Sequence, residues 1–478
     1  MTWRWCSSFA LAFIGLSASS GSARGQCYSV EQDWLTASDA AASSQFGWSV
    51  ALSGDTVVIG ARYDDHAAGQ GAGSAYVSVR SGTVWNQQDW LTASDAAANS
   101  AFGYSVALSG DTVVIGAPDD DHAAGPHAGS AYVSVRSGTV WNEQAWLTAS
   151  DAAANSAFGY SVALSGDTVV IGAPDDDHAA GSNAGSAYVF VRSGAVWSEQ
   201  DWLTASDDAA ANSLFAWSVA LSGDTAVIGA PFEDLAAEED AGSAYVFVRS
   251  GTVWAQQARF VAPAGSEDDE FGYSVAISGD TAVMGAPYYD HAAVSNAGSA
   301  YVFVRSGTVW TQQALLTASD ADANSFFGWS VALSGDTLII GSIFDSSAGF
   351  NAGSAYVFVR SGAVWNQQAR FVASDSSYGD TFGLAVALSG NFAVIGAPFD
   401  DHAAGQIAGS AYVFDLTASL QSGDLDGNQA VDSGDVAMFV DVLLGQDPNW
   451  LHRLAADTDC SDTVDGLDVA PFVSLLLN

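Results

Sequence analysis

Lysine is missing from this chain. All 12 basic residues are arginine, against 54 acidic ones, for a formal net charge of −42 at pH 7. Such a surface repels nucleic acid and anionic membranes, so neither is expected as a partner. The same acidity fits two roles, solubility of a secreted chain or the binding of divalent cations. Cysteine is scarce: beyond the N-terminal segment only Cys27 and Cys460 remain, free to pair or to stand apart. The apolar run Phe9 to Leu16 is too short to cross a bilayer, so no membrane span is expected. Gly-x-Ser-x-Gly, His-Glu-x-x-His, P-loop and Cys/His-cluster patterns are all absent, which leaves no signal for an enzyme.

What is present is repetition. Gly-Ser-Ala-Tyr-Val recurs from Gly73, Gly129, Gly185, Gly242, Gly298, Gly353 and Gly409, each preceded by a matching Phe46, Phe102, Phe158, Phe215, Phe271, Phe327 or Phe382. A fixed period of this length means one supersecondary unit copied side by side, each copy burying its apolar faces against its neighbours. Arg4, the apolar run and the small residues Ala18 to Ala23 read as an export leader over residues 1–26, which implies a secreted or cell-surface protein.

Within a copy the apolar runs are short, rich in Val, Ile, Tyr and Trp, and punctuated by Ser-Gly turns. Ser109-Gly110-Asp111-Thr112 reads as a tight hairpin and Ser137-Gly138 as another. Val113-Val114-Ile115 is apolar on both alternating faces, as in sheets stacked face to face. About four strands per copy follow. The outer segment opened by Trp85, Trp141, Trp197, Trp254, Trp310 and Trp365 is missing from the seventh copy, and its counterpart stands at the other end, Gln32 to Ser38. An N-terminal strand that completes the last sheet closes a ring and removes its edges. The predicted fold is therefore all-β: a seven-bladed propeller over residues 28–419.

Phe158-Gly159 followed by Gly172-Ala173-Pro174 resembles the FG-GAP repeat, and the match recurs in phase through all seven copies. This resemblance implies a propeller like that of integrin α-subunit heads and many bacterial surface proteins. The copies depart from the pattern at Ala216, at Arg62 and at Ser342-Ile343. They also lack the calcium loop many such repeats carry, since only Ser-Gly-Asp-Thr, as at Ser53 to Thr56, joins the first two strands. Four residues cannot wrap six or seven oxygens around one Ca²⁺, so no blade calcium is expected.

In every copy an Asp stands eight residues before Gly-Ser-Ala-Tyr: Asp65, Asp121, Asp177, Asp234, Asp290, Asp345 and Asp401. His follows in five, at His66, His122, His178, His291 and His402. These residues form either a rim for metal ions or a cationic ligand, or a loop that Asp organises through its own backbone bonds. Arg80, Arg136, Arg192, Arg249, Arg305 and Arg360 share one slot, suited to pairing with carboxylates or stacking on Trp. Glu233 to Asp240 and Glu267 to Glu270 break the repeat with acidic clusters. These are either solvated loops, a cation or partner site, or glycosidase-like carboxylates.

After Ser422 the composition changes. Asp424, Asp426, Asn428, Asp432 and Asp435 place side-chain oxygens at loop positions that suit Ca²⁺, with the Ala430 carbonyl between them. Asp457, Asp459, Ser461, Thr463, Asp465 and Asp468 repeat the arrangement, and an apolar segment with helical spacing follows each loop. The pair resembles a type I dockerin, which implies a small α-helical paired calcium-loop module over residues 423–478 and a cohesin-like partner. Gln429 and Asp462 replace the usual loop glycine, and the pairs Ser433-Gly434 and Gly466-Leu467 differ from each other.

The expected function is that of a non-enzymatic binding or adhesion protein. Its loops would meet a protein or glycan ligand, and its tail, holding two Ca²⁺ ions, would attach it to a partner. A polysaccharide-active enzyme or a structural matrix component is the alternative. Calorimetric titration of Ca²⁺ is expected to find two sites in the full chain and none in a chain ending near Ser419. Asp424→Ala combined with Asp457→Ala should remove both.

Overall fold

The computed structural model describes residues 31–205, 211–235, 238–263, 267–291, 294–416 and 435–443. Blade two shows how a copy folds. Its inner strand, Ser105–Ser109, turns at Gly110-Asp111 into Thr112–Ala117, with Ser109 paired to Thr112. The third and outer strands are Ser130–Ser137 and Val140–Leu147. All pairings are antiparallel, and the second strand is buried along its whole length, as its unbroken apolar run predicts. Seven such four-stranded sheets make up the ring.

In blade seven the outer place is taken by Glu31–Leu35, which pairs with Ser410–Asp415. The N-terminal strand copies its counterparts in detail. Glu31 accepts the backbone N–H and hydroxyl of Ser374, as Glu143 does from Ser94. Asp33 accepts the Trp85 amide, as Asp89 accepts that of Trp141. Closure by the N-terminal strand is thus observed.

The core lies between blades rather than within them. One cluster joins Val58, Val77 and Leu91 of blade one to Phe102, Ile115 and Tyr132 of blade two, and an equivalent cluster joins blades seven and one. Backbone approach sets the spacing. A Cβ built on Gly60 would collide with the Gly103 carbonyl oxygen of the next blade, and the same holds for Gly116 against Gly159 and Gly396 against Gly47. Ser49 Oγ donates to that Gly103 carbonyl at 2.8 Å.

The ring has two unlike faces. Two-residue turns crowd one. There Arg136 pairs with Asp111, donates to Thr56 of the preceding blade at 3.1 Å, and lies over Trp141, 5.4 Å from the ring centre. Both readings of the arginine slot therefore hold together. Since Asp111 is largely exposed, each such pair contributes at most about 1 kcal/mol. The other face carries the long connections, including the incoming loop before each Phe and the loop before each Gly-Ser-Ala-Tyr.

Beyond the ring only Asp435–Leu443 is described, as a helix starting at the last residue of the first proposed calcium loop. The other tail candidates, Asp424 to Asp432 and Asp457 to Asp468, lie outside the described residues, as does the segment 1–26 expected to be a leader. No helix among the described residues is long and apolar enough to cross a membrane.

Two substitutions separate backbone approach from turn conformation. Gly110 has φ +58° with nothing within 4 Å of a built Cβ, so Gly110→Ala should cost about 1 kcal/mol, for conformation alone. Gly116→Ala, which drives a methyl into the Gly159 carbonyl, should cost several times more in a urea melt monitored by tryptophan fluorescence.

Candidate functional site

The aspartates picked out by the repeat serve the loop. Asp65 accepts the Gly71 amide at 2.7 Å, Asp121 that of His127 and Asp177 that of Asn183 at 2.8 Å. Asp234, Asp290 and Asp401 do the same for Asp240, Asn296 and Ile407. Four of the five loop histidines are held at both nitrogens. His66 Nε2 faces the Gly73 carbonyl at 3.2 Å and so donates, while Nδ1 accepts the Ala68 amide at 3.3 Å. His122, His178 and His402 repeat this pattern. Both ring nitrogens are thus engaged, which leaves none free to bind a metal ion. No group of three or more metal-capable side chains occurs among the described residues.

Asp345 belongs to a different set. The loop of blade six is one residue shorter, so Asp345 takes the place that Asp64, Asp120, Asp176 and Asp400 hold elsewhere, nine residues before Gly-Ser-Ala-Tyr. Gly353 N–H donates to the Asp345 carbonyl as Gly73 N–H donates to that of Asp64. These carboxylates are 2–6% exposed. Asp64 accepts from Ser74 at 2.6 Å and from Tyr76 at 3.1 Å, and Tyr76 also reaches Asp39 at 2.8 Å. Blade four substitutes Glu233, which is 1% exposed and paired with Arg259 at 2.7 Å. A carboxylate so enclosed cannot serve as one of two solvent-facing catalytic acids. Blade five moves its acid to Asp269 in the incoming loop and has Tyr289 in the usual place. This leaves Ser299 Oγ and Tyr301 OH buried without a partner. The sequence signal for this set was the Asp doublet itself, of which only the exposed member had been singled out.

The other feature not foreseen lies on the axis. The second residue after each Phe stands at the entry to the inner strand, and six of the seven are aromatic. Their ring centres are in sequence close together: Trp48 to Tyr104 5.7 Å, Tyr104 to Tyr160 4.9 Å, Tyr160 to Trp217 4.6 Å, Trp217 to Tyr273 5.6 Å and Tyr273 to Trp329 4.6 Å. Leu384 fills the seventh place. This collar lies at the long-loop end, because the inner strand begins there. All its members are half-buried. The signal was visible as Trp or Tyr after every Phe-Gly or Phe-Ala but the last.

Around the collar the blades differ. Phe232, Tyr288, Phe344 and Phe399 stand where blades two and three carry Asp119 and Asp175. Phe232 meets Trp217 at 5.4 Å and Phe399 meets Trp48 at 6.5 Å. Arg62 lies over Trp48, 3.1 Å from the ring centre, and its Nε donates to Gln45 at 2.8 Å. Burial pushes the Arg62 pKa down and those of Tyr160 and Tyr273 well up. Burial, with Asp240 and Asp268 nearby, raises Glu270 to about 8, and one of its carboxyl oxygens is buried without a partner. Asp175 is raised by burial and then by Asp119. Aromatic faces, acceptor oxygens and one cation thus converge on an axial mouth, a composition suited to binding.

A seven-bladed β-propeller is the class of protein this geometry defines. The chain belongs to the FG-GAP repeat family: the repeat pattern matches residues 30–78, 85–134, 141–190, 197–247, 254–303, 310–358 and 365–414. No curated protein matches it. Among solved structures it is similar to a chain titled "Crystal Structure of Mitotic Checkpoint Complex". The identity is 11% and the TM-score 0.49, over 86% of this chain and 99% of that one.

Blade seven carries a second buried acid, Asp380, where other blades have Ser44, Ser100 or Ser156. Burial, then the negative charge of Asp400, raises Asp380 to about 6. The unfolded value is near 3.9, so the folded state binds the extra proton, and stability at this site is lost as pH rises through 6. Asp380→Ser should raise the melting temperature at pH 7.5, by roughly 1–3 kcal/mol of stability, with little effect near pH 4. Scanning calorimetry at the two pH values checks this.

Proposed function

We propose that this protein is a secreted or surface-displayed, non-enzymatic binding protein whose ligand occupies the axial mouth of the propeller. The observation that carries this reading is the aromatic collar. Six rings in successive contact stay partly open to solvent beside a Glu270 carboxyl oxygen with no protein partner, an arrangement that stability alone does not require. The variation around it supports the same reading. The interblade layers repeat almost unchanged, whereas the residues bordering the mouth change from blade to blade. In this proposal the tail is a separate calcium-binding module that attaches the ring to a partner, and the leader exports the chain.

A screen of immobilised glycans and extracellular proteins against the full chain tests the site. Trp329→Ala and Trp217→Ala, which cut the collar without touching the interblade glycines, should abolish the binding found while leaving the melting curve within a few degrees. Binding that persists unchanged in both variants would place the ligand site elsewhere on the ring.

A further inference from the structure

Arg62 is out of step with the other charges of the ring. Every other described arginine holds a carboxylate: six pair with hairpin aspartates such as Asp55, Arg259 holds Glu233 and Arg370 holds Asp320. Among the described arginines Arg62 alone has no carboxylate within ion-pair distance, Asp119 acting on it only through space, in a chain with 54 acidic residues. Five blades put proline at this position and blade six puts Ile343, so the arginine is not needed to build the ring. It is desolvated and fixed all the same. Trp48 lies beneath its guanidinium, Tyr63 stands 4.4 Å and Tyr104 5.5 Å from it, and Gln45 takes its Nε.

A guanidinium seated over a ring, with Nε engaged, keeps its terminal nitrogens as a donor fork. That fork matches a carboxylate bidentately. We infer that Arg62 anchors a carboxylate of the ligand, and that this ligand is a sugar acid, a single uronate carried on an otherwise neutral glycan. The inference rests on the axial mouth being the ligand site. Its neighbours decide between a sugar and a peptide. Glu270 brings a buried carboxyl oxygen with no partner and Asp175 a further carboxylate, groups that the hydroxyls around a sugar ring meet while its carbon face meets the collar. The Trp and Tyr faces take the C–H-lined face of a pyranose ring. A polyuronate does not fit, because one cation offsets one carboxylate while a chain of net charge −42 repels every further negative charge.

The test is calorimetric titration of the full chain with three probes: a neutral trisaccharide ending in glucuronic acid, its methyl ester, and a short peptide ending in a free carboxylate. The acid should bind, and the ester should bind about 10- to 100-fold more weakly, the loss of a charge-assisted hydrogen-bond pair. Arg62→Gln should lower affinity for the acid to that of the ester and leave ester binding unchanged. Arg62→Lys, which keeps the charge but not the fork, should recover only part. Melting curves establish that both variants are folded.

Equal binding of acid and ester, or an Arg62→Gln variant that binds the acid like the parent, would overturn the carboxylate role. The axial site would then stand so long as Trp329→Ala still abolished binding. Acid binding indifferent to Trp329→Ala would sink the axial site itself. Preference for the peptide would replace the glycan by a protein partner, and failure of all three probes would refute the ligand class.

Discussion

Seven times around the ring a glycine Cα lies against a carbonyl oxygen of the next blade, closer than any side chain could allow. Gly60 meets Gly103 in this way, and Gly396 meets Gly47 where the ring closes. The distance between neighbouring sheets follows from this contact, and the apolar layers are cut to fit it. Val, Ile, Phe and Tyr of adjacent blades interlock at a spacing that the backbone has already set. Blade four departs at one point: Ala216 replaces the glycine whose carbonyl is approached and adopts φ +71°. A methyl group is the most this position has accepted in seven copies.

The long-loop face rests on that frame. Because every inner strand starts at the same height, its first aromatic residue is delivered to the axis at the same level in six blades, and a collar results. The loops above it are each stapled by one buried carboxylate. This carboxylate binds a serine and a tyrosine of its own blade, and that tyrosine also reaches the incoming loop, as Tyr76 does at Asp39. Where the carboxylate is relocated, as in blade five, or doubled, as in blade seven, hydroxyls lose their partners or two acids face each other. Charge repulsion is then stored locally, in a blade whose outer strand comes from the far end of the chain.

Repetition made the fold legible. Hairpin, blade count and closing strand all followed from spacing, since each depends on contacts between neighbours in sequence or between equivalent residues of adjacent copies. The same repetition misled at the loops. Counting back from Gly353 placed Asp345 with the exposed aspartates, because a one-residue deletion cannot be seen in a count that stops at the nearest acid. The buried member of each Asp doublet was overlooked because an aspartate in an acidic loop gives no sign of its burial.

The sequence alone determined that seven copies would form a closed ring, because hydrophobic alternation and turn residues act over a few positions and the ring only repeats them. Only the tertiary structure decided what the copies present together. Trp48 and Trp329 stand 281 positions apart in the chain, and no local pattern announces that both edge one collar. Nor does any pattern show that Arg62 is the one described arginine without an ion-paired carboxylate. Those properties belong to the convergence of seven strands on an axis, where position is set by the whole ring rather than by neighbours in sequence.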